Sequence, residues 1–190
     1  MKLAIFDRDG TLNALADAED FITSPEQWQP IAGALQAIAR LNHAGWRVVL
    51  ATYQPGLGRG LFDVTTLNAI HALMHKQLAA LGGRIDAVFY CPHTVTDACN
   101  CRKPGPGLLE QICERYRLDP RTVPLISSCN AQLQAGAALG MPLHWVGSGP
   151  VAARDTAPLL PADTQRHVDL AAAVTQLLAP TPALAAAGSV

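Results

Sequence analysis

The sequence predicts an α/β protein, a three-layer open parallel sheet, on three observations. Short apolar runs recur along the chain and end in small or polar residues. Helical patterns of period 3.6 separate them. Residues able to do chemistry fall at or just past the ends of the runs, where ligands bind in open parallel sheets. The chain has 190 residues, the size of one domain.

The first run is Leu3–Phe6, and Asp7 and Asp9 follow it directly. Side chains at a strand end alternate between faces, but Gly10 permits an immediate turn, so both carboxylates can converge on one crevice. Ile31 to Ala44 then places Ile31, Leu35, Ile38 and Leu41 on one helical face, closed by Gly45. Arg47–Ala51 is the second strand. Thr65 to Leu81 repeats Leu67, Ile70, Leu73 with Met74, Leu78 and Leu81, and Gly82-Gly83 ends it. Ala87–Tyr90, Val123–Ile126 and Leu143–Val146 are further strands. Shorter helices fit Leu108–Tyr116, Ala131–Leu139 and Asp169–Leu178. Gly147 to His167, rich in Pro, Ala and Thr, reads as irregular. Residues 1–178 are expected to form the single domain, and 179–190, Ala- and Pro-rich without charge, a disordered tail.

A net charge of −1 gives no field for nucleic acid or an anionic membrane. No apolar run is long enough to span a bilayer, and Met1-Lys2 leads straight into the first strand, so the expected location is the cytoplasm. Three of the five cysteines crowd beside a histidine: Cys91, His93, Cys99 and Cys101. Three sulfurs and an imidazole complete a tetrahedral Zn²⁺ shell and leave no position for water, which makes the metal structural. Thr52 ends the second strand before a Gly-rich turn running from Tyr53 and Gln54 through Arg59. A hydroxyl and backbone N–H groups there can receive phosphoryl oxygens.

Asp7-Arg8-Asp9-Gly10-Thr11 after a hydrophobic strand resembles the first motif of the haloacid dehalogenase superfamily, mostly phosphatases. The segment Cys91-Pro92-His93 with Cys99-Asn100-Cys101-Arg102-Lys103 resembles the zinc loop of the heptose 1,7-bisphosphate phosphatases and the related histidinol-phosphate phosphatases. The resemblance runs from about Met1 to about Gly147. It implies a haloacid dehalogenase-type sheet with a zinc loop at 90–103 and no large cap domain. It further implies a phosphomonoesterase in nucleotide-heptose and surface-polysaccharide synthesis, acting as a monomer on a small sugar phosphate, most directly at the 7-phosphate of D-glycero-D-manno-heptose 1,7-bisphosphate. Histidinol phosphate is the alternative substrate.

By the same resemblance Asp7 is the nucleophile and Asp9 the acid–base group. Thr52, Tyr53, Gln54, Arg59, Arg102 and Lys103 bind phosphate or substrate, with Arg102 reaching a second phosphate. Mg²⁺ rests on the Asp7 carboxylate and the Asp9 carbonyl. The family carries Gly-Asp after the fourth strand, where this chain has Ser127-Ser128, so Ser128 stands at a vacated magnesium-ligand position. Gln132 replaces a second acid. Tyr53 and Pro55 also depart from the family pattern. These changes predict weak Mg²⁺ binding, and they define a competing expectation: a silent relative that binds a sugar phosphate or a protein partner.

Overall fold

The structure is a computed structural model that describes residues 1–16, 21–147 and 160–180. Six strands form one sheet in the order β3-β2-β1-β4-β5-β6. They are β1 (Lys2–Phe6), β2 (Trp46–Tyr53), β3 (Ala87–Cys91), β4 (Leu125–Ser127), β5 (Leu143–Val146) and β6 (Gln165–His167). Every pairing is parallel. The helices are α1 (Ala34–His43), α2 (Pro55–Gly58), α3 (Val64–Ala79), α4 (Gly107–Tyr116), α5 (Asn130–Ala137) and α6 (Leu170–Leu178). Among the described residues no helix is long and apolar enough to cross a membrane.

The strands read as continuous apolar runs because both faces of the sheet are covered. On β1, Ala4 and Phe6 pack under α1, α3 and α6, whereas Leu3 and Ile5 pack under α4 and α5. The same alternation continues through Val48 and Leu50 against Val49 and Ala51 on β2. Each buried Leu, Ile or Phe contributes about 1.5–3 kcal/mol, so the two apolar layers hold the sheet between them. Asp63 caps α3 by accepting the Thr66 N–H, and Asp169 caps α6 by accepting that of Ala172.

Two expectations change. Gly147 to His167 is not wholly irregular: Gln165–His167 forms edge strand β6, in register with His144 to Val146 of β5. Its three polar residues carry no apolar alternation, so nothing in the pattern marks it. The rest of that segment, 148–159, and the tail from 181 onward lie outside the described residues. The Gly-rich turn after Thr52 contains the four-residue helix α2, which Pro55 opens with its fixed φ.

The chain builds β1, β2 and β3 outward on one side, then returns to place β4 on the other side of β1. This reversal opens a crevice beyond the carboxyl ends of β1 and β4, where α/β sheets bind ligands.

Candidate active site and metal loop

Asp7 leaves β1 at the crevice and is 1 % exposed. Its backbone N–H donates to the Ile126 carbonyl of β4 at 3.1 Å, and its Oδ1 accepts the Arg8 N–H at 2.8 Å. Lys103 Nζ donates to Asp7 Oδ2 at 2.7 Å. Burial works most strongly against the charge on Lys103, but the Asp7 carboxylate and Cys129 together outweigh it and hold the ammonium above its ordinary range. Ser127, at the end of β4, directs Oγ at Asp7 Oδ2 from 3.4 Å while accepting the Cys129 N–H at 2.9 Å.

Gly10, at φ 75°, turns the chain back as only glycine does without strain. Asp9 therefore faces the same crevice. Gln54 Nε2 donates to its Oδ2 at 2.6 Å and Asn13 Nδ2 to its Oδ1 at 3.1 Å. The Arg8 guanidinium lies across both oxygens. Thr52 is buried beside them and accepts from Gln54 Nε2 at 2.8 Å.

The fold thus brings Asp7, Asp9, Thr52, Gln54, Lys103 and Ser128 together. Gln54, though within that group, and the remaining residues turn otherwise than expected. Gln54 is fully buried and spends its amide on Asp9 and Thr52, so it braces the carboxylate rather than offering itself to phosphate. Arg102 turns into the metal loop: NH1 donates to the carbonyls of Thr94 and Asp97. Arg59 is exposed at the end of α2. The Tyr53 hydroxyl is buried without a hydrogen-bond partner. Burial raises its pKa, with Arg102 and Lys103 pulling the other way. A cavity of about 830 Å³ is lined by Leu57, Phe62, Tyr90, Pro92 and His93, and neither Asp7 nor Asp9 lines it.

Ser128 is fully buried. Its Oγ donates to the Gly10 carbonyl at 2.8 Å, and its N–H donates to Thr11 Oγ1 at 3.0 Å. A hard divalent cation finds two buried carboxylates here, those of Asp7 and Asp9, the latter already held by Arg8, Asn13 and Gln54, with the hydroxyls of Ser127 and Ser128 nearby. These hard oxygen donors are of the kind that Mg²⁺ takes.

The ligand atoms of Cys91, His93, Cys99 and Cys101 lie within 4.8 Å of one another. Cys91 and Cys99 sulfurs are 3.9 Å apart, and His93 Nδ1 is 3.6 Å from Cys91 Sγ. Sulfurs about 2.3 Å from a tetrahedral Zn²⁺ would be about 3.7 Å apart, so the cluster has the dimensions of a four-ligand site. Gly58 of α2 closes against this loop: a Cβ there would meet the Pro92 carbonyl at 2.5 Å.

Residues 2–132 match the family model described as polynucleotide kinase 3 phosphatase. The D-glycero-beta-D-manno-heptose-1,7-bisphosphate 7-phosphatase of Bordetella bronchiseptica is 49 % identical over 94 % of this chain and 98 % of its own length. This chain belongs to the heptose-bisphosphate phosphatase family of the haloacid dehalogenase superfamily. The enzyme of that name from Pseudomonas aeruginosa is 39 % identical over 93 % of this chain and 97 % of its own. A crystal structure of D,D-heptose 1,7-bisphosphate phosphatase from B. bronchiseptica, complexed with magnesium and phosphate, superposes with a TM-score of 0.89. It covers 94 % of this chain and 98 % of the other at 49 % identity. The corresponding Burkholderia thailandensis structure gives a TM-score of 0.74 at 42 % identity, over 95 % of this chain and all of that one.

Sequence reasoning missed Arg8, Thr11, Asn13, His71 and Ser127 as parts of the site. Arg8 carried a signal, because a cation between two buried carboxylates must serve one of them. His71 carried another, since it falls on the buried side of α3 beside Leu67, Ile70 and Met74.

Proposed function

We propose that this chain is a phosphomonoesterase that removes the 7-phosphate of D-glycero-D-manno-heptose 1,7-bisphosphate through an aspartyl-phosphate on Asp7. The observation that carries this reading is the buried pair of Asp7 and Lys103, with Nζ 2.7 Å from Oδ2. It sets a nucleophile beside the cation that can hold the phosphoryl oxygens.

An Asp7 carboxylate oxygen attacks phosphorus in line. The bond from phosphorus to the sugar oxygen breaks, and that oxygen takes a proton from Asp9. Asp9 then removes a proton from water, whose oxygen attacks phosphorus as the bond to Asp7 breaks. Inorganic phosphate leaves, and both carboxyl groups return to their starting states. Thr52 and Lys103 hold the phosphoryl oxygens through both steps.

Bound Mg²⁺ supplies neutralisation of phosphoryl charge. The Asp7 carboxylate and the Asp9 carbonyl would hold it, with Ser128 in the place of a second acid. Cys91, His93, Cys99 and Cys101 would hold a structural Zn²⁺, which fixes the start of the segment carrying Lys103.

The test is phosphate release from heptose 1,7-bisphosphate across a Mg²⁺ series, with Asp7→Asn alongside. We expect release by the native protein and background levels from Asp7→Asn, because an amide cannot attack phosphorus. A native protein that binds the bisphosphate but releases no phosphate at any Mg²⁺ concentration is instead a silent relative.

A further inference from the structure

Asp9 is held by more than its neighbours in the crevice. Arg8 NH2 donates to Asp9 Oδ1 at 3.0 Å and to Oδ2 at 2.8 Å, and Arg8 Nε donates to Oδ1 at 3.3 Å. Arg8 is 0 % exposed. A guanidinium so buried needs a partner on each edge, since an unmet donor in the interior costs free energy. Its other terminal nitrogen, NH1, lies 3.0 Å from Nε2 of His71. A guanidinium only donates, so Nε2 accepts and His71 is neutral with its proton on Nδ1. The surroundings agree: burial, then the charge of Arg8, then that of His75 lower the imidazole pKa to about 4, against a smaller opposing pull from Asp9. His71 comes from α3, whose buried side is otherwise apolar at Leu67, Ile70, Met74 and Leu78. A polar line therefore runs from the helical layer to the crevice, from His71 through Arg8 to Asp9.

We propose that His71 is a positioning residue for phosphoryl transfer: acting through Arg8, it fixes the orientation from which the Asp9 carboxyl exchanges a proton with the leaving oxygen. This rests on the reading of Asp9 as the acid–base group given above. Without an acceptor at Nε2, NH1 is left unmet in the interior. The guanidinium then turns to find another partner and draws the Asp9 carboxylate with it. Asn13 and Gln54 stay in place, so Asp9 remains bound but misaimed.

A misaimed acid has a distinctive consequence. A sugar alkoxide is a poor leaving group and needs protonation as the bond to phosphorus breaks, whereas nitrophenolate and acetate leave without it. The quantity kcat/KM reports steps up to departure of the leaving group, so it isolates this requirement.

The experiment measures kcat/KM of native protein, His71→Leu and His71→Gln on heptose 1,7-bisphosphate, 4-nitrophenyl phosphate and acetyl phosphate, with melting temperatures alongside. Glutamine can place its carbonyl oxygen near the site of Nε2 and accept from NH1. We expect His71→Leu to lose roughly 10- to 100-fold on the sugar phosphate, as a misplacement near 1 Å does. On the two activated esters its loss is less than about 3-fold, because they bypass the acid. His71→Gln recovers most of the sugar-phosphate activity. Should His71→Leu fail to fold, Arg8→Lys, which keeps a charge near Asp9 but loses the two-edged contact, shows the same leaving-group selectivity. Equal losses on both classes of ester, or a glutamine variant no better than leucine at matched melting temperature, overturn the proposal alone. No phosphate release from any of the three by the native protein overturns the phosphatase reading, and this proposal with it.

Discussion

Ser128 occupies a position where charge matters more than shape. Its hydroxyl is buried and committed to the Gly10 carbonyl. An aspartate there would add a second carboxylate beside Asp7. A carboxylate about 4 Å from a divalent ion is worth several kcal/mol even at an effective dielectric near 20, so its absence is expected to lower Mg²⁺ affinity by a few orders of magnitude. Ser128→Asp is therefore expected to bind Mg²⁺ more tightly than native protein when no substrate is present. It is also expected to melt lower than native without the ion, since a carboxylate cannot donate to Gly10 O and stays buried unpaired. Added Mg²⁺ should then raise its melting temperature more than that of native protein. Titration calorimetry and melting curves across a Mg²⁺ series check both. Tight binding by native protein, unmoved by the substitution, would mean that another group fills the vacancy.

At the scale of elements, the metal loop and α2 depend on one another. Cys99→Ser is expected to lose most bound zinc, because it removes one of four ligands. Gly58→Ala keeps all four, but its Cβ presses on the Pro92 carbonyl at 2.5 Å, so α2 or the loop must yield. We expect a destabilisation of about 1–3 kcal/mol, the usual cost of overpacking. We also expect faster zinc loss to a chelator, followed by a colorimetric dye. Unchanged zinc release in Gly58→Ala would show that α2 absorbs the strain and the loop does not.

The elements themselves were largely legible. Buried parallel strands write themselves as apolar runs, and Leu35, Ile38 and Leu41 mark the inner face of α1. Asp7 and Thr52 were legible because a strand end fixes where a residue sits, and Lys103 because the family resemblance marks the residue that follows the metal loop. Side-chain direction was not. Gln54 and Arg102 each had a substrate and a protein neighbour as possible partners, and only the packed chain decides that Gln54 turns to Asp9 and Arg102 to the Thr94 and Asp97 carbonyls. His71 was hidden for a related reason, since its partner is 63 residues away in sequence.

For the molecule as a whole, acid acts on the seam between β5 and β6. His144 Nδ1 and His167 Nε2 are 3.0 Å apart, and the rings stack with centroids 5.2 Å apart. Burial, then the charge of His167, lowers the His144 pKa to about 4. Burial also lowers that of His167, with Asp169 opposing. Between about 4 and the ordinary histidine value near 6.5 the unfolded chain binds more protons than the folded one, so stability rises with pH across that window. Denaturant midpoints are expected to be flat above about pH 6.5 and to fall as pH drops towards 4. His144→Gln is expected to reduce that slope, with buried His71, also near 4, supplying part of what remains. An unchanged slope in the variant would move the effect to other groups.

The strand order also sets a timetable. Asp7 is made with β1, ahead of the other strands, and β2 and β3 then extend the sheet on one side only. The other edge of β1 stays bare until Pro124 and Ile126 arrive to accept the N–H groups of Ile5 and Asp7. Lys103 reaches its carboxylate only after the metal loop has been synthesised. A ribosome-bound chain thus carries β1 with one bare edge until β4 emerges, and Asp7 without its cation until Lys103 does. The growing chain is most open to wrong pairing before β4 emerges, and a truncation just short of Leu125 would leave that strand edge bare permanently.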